Sequence, residues 1–142
     1  MLIHASCVAI DGSAILLRGP SGRGKSDLAL RLIDSGADLV ADDQVALEVL
    51  KNGSAPPRLL ASAPAALSGL LEVRGLGIMK LECLETAPVT LVIDLDTNVD
   101  RMPIPKSCSI LGVDLPLFTL NPFEASAPAK VRIALRDHLL KT

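Results

Sequence analysis

The stretch Gly19-Pro20-Ser21-Gly22-Arg23-Gly24-Lys25-Ser26 decides the fold of this chain. It matches the pattern G-x-x-x-x-G-K-[ST] at every fixed position. Both flanks match as well, because an apolar segment at residues 14–17 leads into the run and an amphipathic segment at residues 25–35 follows it. A buried strand, a glycine-rich loop and a helix in this order predict a P-loop.

The chemistry of phosphate binding explains this spacing. Glycines let successive backbone N–H groups converge on phosphate oxygens, and the helix that follows points its positive end at the same anion. Lys25 is expected to reach the β and γ phosphates, and the Ser26 hydroxyl to ligate Mg²⁺. The whole run from Gly19 to Ser26 is therefore the candidate nucleotide-binding segment, with ATP and Mg²⁺ as expected ligands. Similar turns occur without a ligand, but the full match and both flanks argue against that.

Hydrophobic periodicity around the loop predicts an α/β domain with a mixed sheet. Asp11-Gly12 predicts a turn between two strands, an antiparallel hairpin that a purely parallel nucleotide-binding fold would not contain. Gly36 is expected to cap the first helix at its C-terminal end, and Ser126 to cap the last helix at its N-terminal end. The predicted strands are 3–9, 13–18, 39–41, 45–50, 58–61, 88–94 and 113–120; the predicted helices are 25–35 and 127–140, with a helical turn in 65–71 and a mobile loop over 95–107.

Composition limits the domain count and the classes of partner. A length of 142 residues suits a single domain over residues 1–142. The net charge of −2 and the two aromatic residues argue against nucleic acid, which needs a basic stripe or stacking surfaces. No apolar run reaches the length of a membrane span, and no signal-peptide pattern is present, so a cytoplasmic location is expected. The cysteines, which are odd in number and widely spaced, predict no metal or disulfide framework: Cys7, Cys83 and Cys108.

Asp42-Asp43 follows a short apolar strand. Adjacent side chains of a strand point to opposite faces, so both carboxylates serve one site only if the strand ends or bends there. In that case one carboxylate could bind metal, and the other could accept a proton from a hydroxyl nucleophile. A pair of solvated aspartates at a strand end is the alternative, and the residues alone leave both interpretations open.

A second glycine segment, Leu71-Glu72-Val73-Arg74-Gly75-Leu76-Gly77-Ile78, follows further along the chain. Its glycines predict a turn rather than a second phosphate loop. Glu72 and Arg74 are charges in a largely apolar run, where a charge needs a partner. A metal ion with phosphates would provide one.

These three motifs, in this order, resemble the catalytic domain of HPr kinase/phosphorylase. The similarity runs from about His4 to Ile78 and continues more weakly to the C-terminus, and residues 71–78 carry the family signature. The resemblance implies a P-loop α/β domain related to phosphoenolpyruvate carboxykinase. Typical members have a further N-terminal domain, so this sequence looks like a short form with the catalytic domain alone.

The resemblance also implies a reaction. The family transfers the γ-phosphoryl group of ATP to a serine of HPr, the small phosphocarrier of the sugar phosphotransferase system. Many members also run the reverse reaction, in which inorganic phosphate attacks the phosphoserine and releases pyrophosphate. An HPr-like protein is therefore the expected partner, and a homo-hexamer the expected assembly.

The resemblance also implies roles for the residues that occupy matching positions in the motifs. Asp42 matches the catalytic carboxylate that takes the serine proton, and Asp43 is expected close to the metal and phosphates. Lys25 would steady the β and γ phosphates, while Ser26 and Glu72 would hold Mg²⁺.

Four other positions carry weaker implications. His4 matches a histidine near the active site, although a lone histidine in an early strand is more often structural. Arg74 belongs to the signature, with a role either in transition-state charge stabilisation or in structural pairing. Arg101 matches an arginine of a mobile loop, which is shorter here than is usual. Pro20 replaces the usual acidic residue and removes one backbone donor.

Three other functions compete with the serine kinase. A small-molecule kinase would carry a lid with several arginines, and the obvious loop here holds only Arg101. A GTPase would need an N-K-x-D motif to read the base, which the sequence lacks. An ATP-binding regulatory module without catalysis is disfavoured by the intact Lys25, Ser26, Asp42 and Glu72. His138, on the apolar side of the last helix, is expected to pack.

Overall fold

The structure, a computed structural model, describes residues 1–22 and 24–141, so Arg23 and Thr142 lie outside the described residues. The strands are β1 (Leu2–Ile10), β2 (Ser13–Arg18), β3 (Asp38–Ala41), β4 (Gln44–Leu50), β5 (Arg58–Ser62), β6 (Leu70–Val73), β7 (Gly77–Lys80), β8 (Ala87–Leu95), β9 (Lys106–Ile110) and β10 (Val113–Leu120). The helices are α1 (Lys25–Asp34) and α2 (Ala127–Leu140), with a short 3-10 helix at Ala65–Leu67.

Eight of these strands form one mixed sheet. Strand β2 pairs antiparallel with β1 and parallel with β8, and β8 pairs parallel with β10. On its other edge β1 pairs antiparallel with both β3 and β4. Strand β4 pairs antiparallel with β5, and β5 pairs antiparallel with the start of β8. Strands β1, β4, β5, β8 and β2 therefore close into a ring. The mixed α/β fold predicted from the sequence, including the antiparallel entry hairpin, is confirmed.

The core lies on both sides of β1 and β2. One apolar cluster fills the ring, and several of its members are small: Ala5, Cys7, Ala9, Ala14, Ala41 and Ala61. The second cluster lies between the outer face of the sheet and the two helices, with Val8, Ile15, Leu17, Leu28, Leu32, Val131 and Leu135. Because alternate residues of β1 and β2 enter different clusters, both strands are apolar along most of their length.

The end of α1 agrees with the sequence. Gly36 has a φ of 113° and donates its N–H to the Ile33 carbonyl at 3.0 Å, while Ala37 donates to the Leu32 carbonyl at 3.0 Å. This pair of hydrogen bonds is a Schellman motif, which glycine favours because the positive φ costs it little. The predicted cap at Gly36 is confirmed.

The start of α2 is at the predicted residue, but its capping differs from what a serine N-cap usually provides. Ser126 occupies the N-cap position and its carbonyl accepts the Lys130 N–H at 2.9 Å, but its hydroxyl makes no capping hydrogen bond. The predicted N-cap position at Ser126 is therefore confirmed, but its hydroxyl does not cap the helix. Its φ of −80° and ψ of −2° are already helical, whereas a capping side chain needs extended backbone at this position.

Two hairpins change the predicted element pattern. The second glycine segment is a turn as predicted, but it joins β6 to β7, and β6 begins at Leu70 inside the region predicted as a helical turn. Strand β9 begins at Lys106, inside the predicted loop 95–107. Strands β6, β7 and β9 were not predicted. All three are short, and β7 and β9 are mostly exposed, so their hydrophobic pattern is weak.

Candidate functional site

The glycine-rich loop connects the end of β2 to the first turn of α1. Gly24 is the N-cap of α1 with a φ of 84°, and its carbonyl accepts the Leu28 N–H at 2.9 Å. A Cβ at this position would lie 3.3 Å from the Phe123 ring. Glycine is thus favoured here by backbone conformation and by close packing. The loop meets the positive end of α1, the geometry that suits an anion.

Lys25 is held by the loop that precedes it. Its side chain is buried, with the residue only 7% exposed, and its ammonium donates to the carbonyls of Gly19 at 2.6 Å and Pro20 at 3.0 Å. Burial lowers the pKa of Lys25, while the nearby carboxylates of Asp42 and Asp43 act to raise it. The Lys25 ammonium is therefore a desolvated cation bound to the loop and within electrostatic reach of both aspartates.

Asp42 is the centre of the polar network. The residue is 5% exposed, and its carboxylate accepts the Ser26 hydroxyl at 2.8 and 3.0 Å and the Ser6 hydroxyl at 2.5 Å. It also accepts the backbone N–H of Glu72 at 3.2 Å. Donors from β1, α1 and β6 thus fix one carboxylate beside the last residue of the P-loop motif.

Asp43 lies just outside that network. Strand β3 ends at Ala41, so both aspartates lie in the bend before β4, as the sequence required for them to share a site. Asp43 has a φ of 71°, and the Gln44 N–H donates to the Asp42 carbonyl at 2.8 Å. This is a γ-turn with positive φ, a strained conformation. The turn keeps the Asp43 side chain exposed at the rim of the site.

His4 links the acidic pair to the loop. Its Nδ1 lies 3.4 Å from the Asp43 carboxylate, and its Nε2 lies 3.3 Å from the Ser21 hydroxyl. The side chain is about half exposed, so His4 is not a core residue. Ser6 was missed from the sequence, although it follows His4 by two residues and must therefore face the same side of β1.

The β6–β7 hairpin forms the opposite wall. Glu72 and Arg74 line a cleft of about 290 Å³ together with residues of the loop, residues of α1 and Asp43. Both side chains are exposed, so the prediction that an apolar environment would force a partner on them is wrong. The remaining lining residues are His4, Ser21, Gly22, Gly24, Lys25, Ser26, Asp27, Leu30, Asp43, Val73 and Phe123.

Four predicted site residues do not line this cleft: Gly19, Pro20, Asp42 and Arg101. Asp42 lies next to it, because its carboxylate accepts the hydroxyl of Ser26, which does line the cleft. Arg101 is exposed in the segment between β8 and β9 and does not line the cleft. Arg23 lies outside the described residues. His138 is half-buried on α2 and lines a separate surface groove with residues of β5, β8 and β10.

The donor set fits magnesium. Ser26 and Glu72 could hold the ion, because both line the cleft beside Asp42. Across residues 1–22 and 24–141 no group of three or more His, Cys, Asp or Glu side chains could hold a metal. Mg²⁺ does not need such a cage, since it commonly binds one or two protein ligands plus water and substrate phosphates.

A search of residues 1–22 and 24–141 finds no helix with the length and apolar character of a membrane span.

The family follows from comparison with known proteins. The family described as HPr Serine kinase C-terminal domain matches residues 1–125. The chain belongs to this family. The HPr kinase/phosphorylase of Clostridium tetani is 41% identical over 131 residues, which cover 83% of this chain and 41% of the relative. That of Chlorobium chlorochromatii is 37% identical over 130 residues, which cover 82% of this chain and 38% of the relative. This member thus spans about two-fifths of the length of these HPr kinases.

A solved HPr kinase structure has the same architecture. The Hpr(Ser) kinase/phosphatase from Coxiella burnetii matches with a TM-score of 0.83 and 28% identity, over 99% of this chain and 97% of that one. The relationship inferred from the three motifs is therefore confirmed at the level of the family and of the mixed α/β fold.

Proposed function

We propose that this chain is an ATP-dependent kinase that phosphorylates a serine of an HPr-like phosphocarrier protein of the phosphotransferase system. The observation that carries the proposal is the Asp42 carboxylate, which is bonded to Ser26 at the end of the P-loop motif. The HPr kinase/phosphorylase relatives support the choice of acceptor. We also propose that the chain catalyses the reverse reaction with inorganic phosphate.

Binding of ATP would use the loop and its lysine. Backbone N–H groups of residues 19–26 and the N-terminus of α1 would surround the phosphates, and Lys25 would neutralise charge on the β and γ groups. Ser26 and Glu72 would hold Mg²⁺, which supplies charge neutralisation between the phosphates when bound. Phosphoryl transfer through a loose transition state needs little more than this positioning and charge stabilisation.

The proton of the attacking serine would go to Asp42, which would return it in the reverse direction. Asp43 would lie close to the metal and phosphates. Arg74, at the rim of the cleft, would stabilise the charge that develops on the transferred group. Arg101 would act near the protein substrate only if its segment moves toward the cleft, because it does not line the cleft here.

Four properties of the whole protein belong to the same proposal. They are a P-loop fold related to phosphoenolpyruvate carboxykinase, one catalytic domain over residues 1–142, a homo-hexameric assembly and a cytoplasmic location. The antiparallel pairing of β1 with β2 supports the first of these, since it departs from a purely parallel nucleotide-binding sheet.

The direct test mixes the purified chain with Mg²⁺, γ-labelled ATP and an HPr-type protein from the same cell, and measures phosphoserine. We expect label on serine with the natural chain and none with Asp42→Asn. Asp43→Asn is the matched control: label lost only in Asp43→Asn would assign the base to Asp43. Adding phosphate and measuring pyrophosphate tests the reverse reaction.

Lys25→Ala tests the proposed role of the lysine in phosphate binding. We expect weaker ATP binding and lower turnover, because the variant removes the cation bound to the loop. Unchanged activity in Lys25→Ala would contradict the phosphate-binding role. ATP binding without any serine label would instead favour a small-molecule acceptor or a regulatory module.

A further inference from the structure

Phe123 is an exposed aromatic side chain at the mouth of the cleft. It is one of two aromatic residues in the chain, and it is 60% exposed although it is large and apolar. Its ring edge lies against Gly24, where a Cβ would be 3.3 Å away. A largely exposed apolar ring therefore lies directly beside the loop proposed to bind phosphates.

The turn that carries Phe123 is fixed to α1. The Arg31 guanidinium donates to the carbonyl of Pro122 and, at 3.2 Å, to that of Glu124. The Phe123 N–H donates to the Asn121 side-chain oxygen at 3.0 Å. Hydrogen bonds thus hold the residues on both sides of the aromatic ring. A ring positioned in advance loses little conformational entropy when a ligand packs on it.

The topology puts this turn at the ligand edge of the sheet. Residues 121–124 follow β10, which runs parallel to β8, and β8 runs parallel to β2. The ends of β2 and β8 are joined by Arg18 and Asp94, with N–O distances of 2.8 and 3.1 Å. Ligands of such sheets bind beyond the carboxyl ends of the parallel strands. Phe123 and the glycine-rich loop lie at that same edge.

We propose that the Phe123 ring is the surface on which the nucleobase of ATP stacks. The inference rests on the proposed nucleotide binding and adds the part of the site that contacts the base. Leu30 and Val73 are half-buried and supply further apolar lining in the same cleft. Stacking uses the π face that every base has, so the ring favours a nucleotide over a bare polyphosphate without selecting among purines.

The first test compares ADP with inorganic tripolyphosphate, which carries no base. We expect Phe123→Ala to weaken ADP binding by about tenfold, from the usual strength of base–aromatic stacking, and to leave tripolyphosphate binding unchanged. Phe123→Leu keeps apolar bulk without the aromatic face and should bind ADP weakly. Ile133→Ala, an exposed apolar residue of α2, is the matched control and should change neither affinity. Titration calorimetry measures both ligands.

The second test uses a spectroscopic probe. The chain has no Trp and no Tyr, so Phe123→Trp introduces a single emitter at the proposed contact. We expect ADP binding to quench its emission and tripolyphosphate binding to leave it nearly unchanged, with ADP affinity retained.

The outcomes separate the two proposals. Equal ADP and tripolyphosphate affinity in the natural chain, or unchanged ADP affinity in Phe123→Ala, overturns base stacking and leaves the kinase proposal intact. If Phe123→Ala loses affinity for both ADP and tripolyphosphate, base stacking is also overturned. The ring would then act by supporting the glycine-rich loop. Absence of binding to both ligands in the natural chain overturns both proposals.

Discussion

At the scale of single residues, Asp43 combines a charged side chain at the rim of the site with a strained backbone. Its φ of 71° is a conformation in which a Cβ is unfavourable. Asp43→Gly should therefore be more stable than Asp43→Ala by about 1 kcal/mol, since both lose the carboxylate and only alanine keeps the strain. Urea unfolding measures the difference. Equal stability of the two variants would show that the turn stores no strain.

Ser6 is a positioning residue for Asp42. It is fully buried, and its hydroxyl bonds the carboxylate at 2.5 Å. We expect Ser6→Ala to cost about 2 kcal/mol of stability, because the carboxylate loses a buried donor. It should also lower kcat while leaving the KM for ATP nearly unchanged. Ser107→Ala, on exposed β9, is the control; an unaltered kcat in Ser6→Ala would mean that Ser6 only supports the fold.

The role of Asp42 could be predicted from the sequence, whereas the role of Ser6 could not. Asp42 follows an apolar strand within a recognisable motif, so its position at a strand end could be inferred locally. A serine within an apolar strand carries no such signal, because its role depends on β1 lying beside the bend after β3. Phe123 was missed for the same reason: its contact with Gly24 joins segments far apart in the chain.

At the scale of elements, the β6–β7 hairpin depends on Gly69. This residue has a φ of 75°, and a Cβ would lie 2.8 Å from the backbone oxygen of Leu81. Gly53 has a φ of 61° but nothing within 4 Å. Gly53→Ala should thus cost about 1 kcal/mol from the backbone conformation alone.

Gly69→Ala should cost at least about 1 kcal/mol more than Gly53→Ala, because the backbone of the hairpin must also move. Urea unfolding compares the two variants. The kinase activity of Gly69→Ala should fall as well, since the hairpin carries Glu72 and Arg74. Equal costs for both substitutions would contradict the close contact with Leu81.

Local signals decide which elements the sequence could predict. The cap at Gly36 and the helical spacing of α1 are short-range features, and both predictions are confirmed. Strands β7 and β9 are short and exposed on most positions, so no alternation marks them. They are strands because β7 pairs with β6 and β9 pairs with β10. The hydrophobic pattern of one segment does not reveal such pairing.

At the scale of the whole molecule, Cys7 reports on global unfolding. It is fully buried inside the ring, and burial raises the pKa of its thiol to about 12 from 9.0. Between these values the unfolded chain has lost a proton that the folded chain keeps. Stability should therefore fall as the pH rises through this range, by up to about 1.4 kcal/mol per pH unit.

Urea unfolding of the natural chain and of Cys7→Ala between pH 8 and pH 11 measures this contribution. It is the difference between the two chains in how the free energy of unfolding changes with pH. Cys7→Ala should lack that part of the slope. A thiol reagent at neutral pH should react with Cys83 and Cys108, which are partly exposed, and reach Cys7 only at the rate of global unfolding. Identical slopes for the two chains would contradict the assignment.

The closed ring of strands also orders events during synthesis. Strand β2 leads directly into the glycine-rich loop, yet its parallel partner β8 ends at Leu95. Until that residue has left the ribosome, β2 has β1 as a neighbour on one side only, and the ring stays open. Contacts so distant along the chain form slowly. The glycine-rich loop is thus translated early but acquires its rigid support late, so the proposed nucleotide site would be complete only after the core of the nascent chain has closed.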